Sequence, residues 1–122
     1  MLTTDKVTIK FGGLTAVNEV SIHIKPNIIT GLIGPNGAGK TTLFNAVSGV
    51  YKPTSGAVTF NGEIISGLKP YQINVKGISR TYQIINLFRK MDVIDNVLVG
   101  MHPSIPRRAS RVFQDDRGRK PV

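Results

Sequence analysis

Val7-Thr8-Ile9-Lys10-Phe11 alternates apolar and polar residues, the period of a half-buried strand. Gly12-Gly13 permits a turn, and Val20-Ser21-Ile22-His23-Ile24 alternates again before Pro26-Asn27 closes the run. Two alternating strands joined by a short turn predict an antiparallel edge sheet. Ile28-Ile29-Thr30-Gly31-Leu32-Ile33 is nearly continuous in apolar character, as in a strand covered on both faces. A helical period follows, with Leu43, Phe44, Ala46 and Val47 on one face and Gly49 as its stop. Residues 53–56 read as a turn and 57–60 as a short strand. Asn61-Gly62 is a hairpin signal ahead of Glu63-Ile64-Ile65. Residues 70–75 form one short helix and 78–82 another strand. Residues 92–101 form a second clear helix, with Asp92 as N-cap and Ile94, Val97, Leu98 and Met101 at the i, i+3, i+4, i+7 positions. From Pro103 no period survives, and proline, arginine and serine dominate, the composition of a disordered segment.

These elements alternate as in an α/β protein, and 122 residues suffice for one domain with a sizeable core. With no cysteine in the chain, disulfides and thiolate metal sites are excluded. The apolar run at 28–33 falls far short of the roughly 20 residues of a membrane span. The N-terminal Met1-Leu2-Thr3-Thr4-Asp5 is unlike a secretory leader, which makes a cytoplasmic location the expectation. The net charge of +9 is high for this length and opens a second class of function, a basic module for nucleic acid or an anionic membrane. Much of the excess sits in residues 103–122, where six basic residues face Asp115 and Asp116. The rest of the chain lacks a helix-turn-helix, an RNA-binding sheet signature or a zinc site, so no specific nucleic-acid partner is expected.

One motif decides between these classes. Gly34-Pro35-Asn36-Gly37-Ala38-Gly39-Lys40-Thr41 is a complete G-x-x-x-x-G-K-[ST] loop, preceded by an apolar run and followed by an amphipathic helix. Glycines let the backbone curl so that successive N–H groups point at phosphate oxygens. The loop feeds the start of a helix, where unpaired N–H groups and the helix dipole favour an anion. Lys40 supplies a full positive charge for the terminal phosphates, and the Thr41 hydroxyl suits Mg2+. The combination predicts binding of ATP or a close relative with Mg2+.

The loop and its surroundings resemble the ATP-binding subunit of ABC transporters. The resemblance runs from residue 5 to 102. It is carried by residues 34–43, by Lys52-Pro53-Thr54-Ser55-Gly56-Ala57-Val58 and by Asn61-Gly62-Glu63. Three stretches look like the branched-chain amino acid importer branch, which also includes urea and related amide importers. They are Phe11-Gly12-Gly13-Leu14-Thr15-Ala16-Val17, Ile78-Ser79-Arg80-Thr81-Tyr82-Gln83, and Leu87-Phe88-Arg89-Lys90-Met91 with Val93-Ile94-Asp95-Asn96-Val97. The resemblance implies the N-terminal portion of a P-loop ATPase fold, with an antiparallel edge sheet and an incomplete core sheet. It implies that Gly34, Pro35, Asn36, Gly37, Ala38, Gly39, Lys40, Thr41 and Thr42 hold the phosphates. Phe11 would stack on adenine, the plainer alternative being a core phenylalanine, and Val17 would flank the base. Gln83 would act with Lys40 in catalysis, offering its carbonyl to Mg2+ beside Thr41 and its amide to the attacking water. Residues 87–91 would lie near the groove for a membrane subunit. The implied partners are transmembrane permease subunits and a second ATP-binding subunit, on the inner face of the cell membrane.

The sequence also departs from the family. It contains no Leu-Ser-Gly-Gly-Gln-like signature, and no apolar run ending in Asp-Glu. His102 is not in the place of the switch histidine, and His23 reads as structural. The expectation is therefore a partial ATP-binding domain over 1–102 with a basic tail over 103–122. The motifs end after the glutamine segment, as in a fragment or a frame change, and the chain alone would lack ATP turnover. A kinase or GTPase that shares only the loop is a third reading, which the segment around Gln83 opposes.

Overall fold

The computed structural model describes residues 1–101 and 103. They divide into two compact units, the first Met1–Arg80 and the second beginning at Thr81.

In the first unit the two alternating runs form a long hairpin. β1 (Leu2–Phe11) pairs antiparallel with β2 (Leu14–Ile24) across Gly12-Gly13, and both strands extend beyond the alternating windows. The alternation itself breaks where β1 meets β2. Val7, Thr8 and Ile9 are all buried, rather than every second one, because the pairing register shifts on both sides of Val7. At these bulges Lys6 and Glu19 take positive φ, at 45° and 47°. Buried hydroxyls then stand in for lost ladder bonds. Thr4 Oγ1 donates to the Val20 carbonyl at 3.0 Å and accepts the Ile22 N–H at 2.9 Å, while Thr8 Oγ1 accepts the Glu19 N–H at 3.0 Å.

β3 (Ser55–Phe60) pairs on the other side of β1, and β4 (Glu63–Ile64) pairs with β3, giving the all-antiparallel order β2-β1-β3-β4. The β3–β4 turn places Asn61 at φ 48° and Gly62 at φ 84°. Two left-handed residues match the right-handed twist of the flanking strands, which is why Asn-Gly is a hairpin signal. α1 spans Lys40–Val47 and α2 spans Pro70–Val75. In α2, Pro70 sits where no N–H is needed, and the Gln72 side chain accepts the Lys69 N–H at 2.9 Å. Val7, Ile9, Val17 and Val58 from the sheet, Leu43 and Ala46 from α1, Ile73 from α2 and Ile65 make one buried cluster.

Two expected strands do not form. Residues 28–33 adopt no strand, and Ile33 is 96% exposed. A strand exists through its ladder, and no described residue pairs with this segment. Part of it instead borders an open apolar cleft of about 120 Å³ with Ile22, Ile24, Leu43 and Phe44. Phe44, on the same helical face as the buried Leu43 and Ala46, is 52% exposed on that cleft. Residues 78–82 likewise have no strand partner, and Arg80 is held by side-chain bonds to α1.

In the second unit α3 (Val93–Met101) starts where Asp92 predicts. Its Oδ1 accepts the Asp95 N–H at 2.7 Å, satisfying one of the helix's free N-terminal donors. The Asn96 side chain ties the preceding loop to the helix. Its Oδ1 accepts the Phe88 N–H at 2.9 Å, and its Nδ2 donates to the carbonyls of Phe88 and Met91, both at 3.2 Å. No α3 residue is buried, and Ile94, Val97 and Met101 are all exposed. The expected disordered tail lies outside the described residues from 104 onward.

Candidate functional site

The glycine-rich loop is built from a tight turn followed by a helix start. The Ala38 N–H donates to the Pro35 carbonyl at 3.2 Å, and Gly37 and Gly39 are left-handed, at φ 82° and 88°. Gly39 caps α1, and its carbonyl accepts the Leu43 N–H at 2.9 Å. It is also the point where β2 presses against the loop. A Cβ on Gly39 would lie 2.4 Å from the Ala16 carbonyl oxygen and 3.3 Å from Val17 Cγ2. Only glycine meets both the torsion and the clearance.

Among the described residues no hydrogen bond occupies the N–H groups of Gly37 or Gly39. They join the first-turn amides of α1 as free donors, the arrangement that attracts phosphate oxygens. The Lys40 ammonium folds back over the same loop, donating to the Gly34 carbonyl and, at 2.6 Å, to the Pro35 carbonyl. An ammonium has three N–H groups, so one remains for a ligand, and the charge is anchored at the loop mouth. Thr41 is exposed on the first turn of α1 and Thr42 half-buried behind it. The Thr41 hydroxyl is the kind of oxygen donor that Mg2+ takes. Among the described residues no group of three or more His, Cys, Asp or Glu is placed to hold a metal by itself.

The other candidates are placed as follows. Phe11 ends β1 with its ring 44% exposed, beside Tyr51. Val17 is 5% exposed, within the core and beneath Gly39. Gln83 belongs to the second unit and is exposed. Sequence reasoning passed over Asn45 and Arg80. Arg80 Nη1 donates to Asn45 Oδ1 at 2.6 Å and to Ser48 Oγ at 3.1 Å, which pins Arg80 to the C-terminal end of α1. A cation there also suits the negative end of the helix dipole. No local pattern announces this contact, because 35 residues separate the partners. In the second unit Leu87, Phe88, Met91, Val93 and Val97 line an open apolar cleft with Arg89 and Asn96.

The ABC transporter family model matches residues 17–120. The chain belongs to the ABC transporter family. The match continues past His102, where the motif-by-motif resemblance stops. Over 105 residues the chain is 47% identical to the high-affinity branched-chain amino acid transport ATP-binding protein LivG of Salmonella typhimurium, covering 86% of this chain and 41% of that protein. It is 44% identical over 102 residues to BraF of Pseudomonas aeruginosa, which carries the same description, covering 84% of this chain and 40% of that protein. The chain thus spans about two-fifths of the length of these relatives. A nucleotide-free ATP-binding cassette from an ABC transporter superposes with a TM-score of 0.75 at 32% identity, over 98% of this chain and 47% of that one. The ADP conformation of MJ1267, an ATP-binding cassette of an ABC transporter, superposes at 0.76 and 31% identity, over 99% of this chain and 48% of that one. The fold is therefore the α/β one of ABC ATPase cassettes, and the expected antiparallel edge sheet has four strands. Among the described residues no helix is long and apolar enough to cross a membrane.

Proposed function

We propose that this chain holds Mg-ATP as part of the ATP-binding subunit of an importer for branched-chain amino acids or related small solutes. The observation that carries the reading is the Gly34–Thr41 loop, with free left-handed glycine amides, an anchored Lys40 ammonium and a helix start in one place. The importer class is supported by the identity to LivG and BraF. In this reading the loop amides and Lys40 take the phosphates, Thr41 holds Mg2+, and Phe11 stacks on the base. Bound Mg2+ would neutralise charge on the phosphates. Val17, packed beneath Gly39, would flank the base. Gln83 would offer its carbonyl to the metal and its amide to the attacking water. The apolar cleft of the second unit would receive a permease subunit at the inner face of the membrane, and hydrolysis would need a second ATP-binding subunit.

Calorimetric titration of the purified chain with Mg-ATP tests the binding step, and saturable one-to-one binding is the expected result. Turnover is a separate expectation. Lys40, and Mg2+ held by Thr41, would supply charge neutralisation, but no carboxylate of a strand-borne Asp-Glu motif is present to take the proton of water. Positioning and general-base help each contribute several kcal/mol of barrier lowering. Phosphate release by the 122-residue chain is therefore expected at background. Lys40-dependent release near about one per second would contradict this.

A further inference from the structure

The ring of Phe11 meets that of Tyr51, with centroids 5.2 Å apart and planes at 75°. This is the edge-to-face arrangement that aromatic quadrupoles favour. Whichever ring presents its edge, at least one face of Phe11 is left uncovered by Tyr51, and Phe11 stays 44% exposed. Tyr51 is itself fixed by backbone bonds. Its N–H donates to the Asn45 carbonyl at 3.2 Å, and the Val50 N–H donates to the same carbonyl at 2.8 Å. Asn45 is on α1, the helix that begins at Lys40. At the other end, the Thr54 N–H donates to the Thr8 carbonyl at 2.8 Å, and Thr54 Oγ1 accepts the Lys10 N–H at 3.0 Å. Residues 50–54 therefore form a strap from the phosphate-binding helix to the end of β1. Tyr51 is the strap's side chain that meets Phe11.

We propose that Tyr51 is a positioning residue for the base of the nucleotide: it holds the Phe11 ring as a preformed stacking platform, tied to the P-loop helix through the Asn45 carbonyl. The proposal rests on the reading that Phe11 stacks on the base. An aromatic ring at the end of a strand otherwise samples several rotamers, and ordering it on binding costs affinity. An edge-to-face partner on a backbone-anchored strap removes part of that cost before the ligand arrives. Tyr51 contributes through its ring and not its hydroxyl, so phenylalanine should replace it.

The test is a calorimetric cycle on the full chain with two ligands, Mg-ATP and inorganic triphosphate. The ratio of their affinities reads base recognition alone, because a loss of folded protein lowers both equally. Phe11→Ala is expected to lower the ratio by about tenfold. Tyr51→Ala is expected to lower it by about threefold to tenfold, and Tyr51→Phe to leave it unchanged. In the Phe11→Ala background Tyr51→Ala should do nothing more. A ratio unchanged by Tyr51→Ala while Phe11→Ala lowers it overturns the proposal and spares the stacking reading. An undiminished Tyr51 effect in the Phe11→Ala background also overturns it, since Tyr51 would then act on the base without Phe11. A ratio unchanged by Phe11→Ala removes the stacking reading and the proposal together.

Discussion

Lys40→Ala is expected to weaken Mg-ATP binding by about 2–3 kcal/mol, the loss of a charge-assisted contact to phosphate. In Kd this is roughly 30- to 150-fold. The substitution removes a cation anchored on the loop, where the ammonium bonds to the Gly34 and Pro35 carbonyls. Pro35 is exposed and Gly34 half-buried, so water can take over both carbonyls and the fold should survive. The measurement is calorimetric titration beside a thermal melt followed by circular dichroism. Loss of binding with an unchanged melt is the expected pair of results. Equal ATP affinity in variant and parent would refute the assignment of the loop as a phosphate site.

Gly39→Ala should be the most damaging single methyl addition in the loop, and Gly37→Ala is its control. Both positions are left-handed, so each substitution carries the torsional cost of an L-residue there, about 1–2 kcal/mol. A Cβ at Gly37 would meet nothing within 4 Å, and the torsional cost is the whole effect. At Gly39 it would lie 2.4 Å from the Ala16 carbonyl oxygen, a backbone atom of β2 that cannot rotate away. Either α1 or β2 must shift, at a total of about 3–5 kcal/mol. Ligand binding should suffer as well, because the shift displaces the helix start that carries Lys40 and Thr41. Urea unfolding of the two variants separates the terms. Equal midpoints would mean that β2 does not constrain the loop.

Those two glycines mark where the site stops being local. Eight adjacent residues, 34–41, predict the loop, the lysine and the helix start, and these form one continuous turn-to-helix unit. The Ala16–Gly39 approach was not legible, because it joins residues far apart in the chain. The same holds for Phe11 with Tyr51 and for Arg80 with Asn45. The 28–33 segment shows the opposite failure. Its composition suits a strand buried on both faces, yet composition cannot supply the neighbour whose backbone completes the ladder.

The sequence by itself determined the features that adjacent residues settle among themselves. These are the left-handed turns at Gly37, Gly39 and Asn61-Gly62, the Asp92 cap of α3, the Pro70 start of α2 and the hairpin at Gly12-Gly13. Their torsions and their bonds between residues one to four apart depend on little else. Tertiary structure alone decided that β1 lies at the centre of the sheet, that Val7, Thr8 and Ile9 are buried together, and that residues 28–33 form no strand. It also decided that Phe11 is an exposed ring braced by Tyr51 rather than a core residue. Strand pairing and burial depend on which distant groups arrive at the same place, and each such contact must offset the entropy of closing the loop between them.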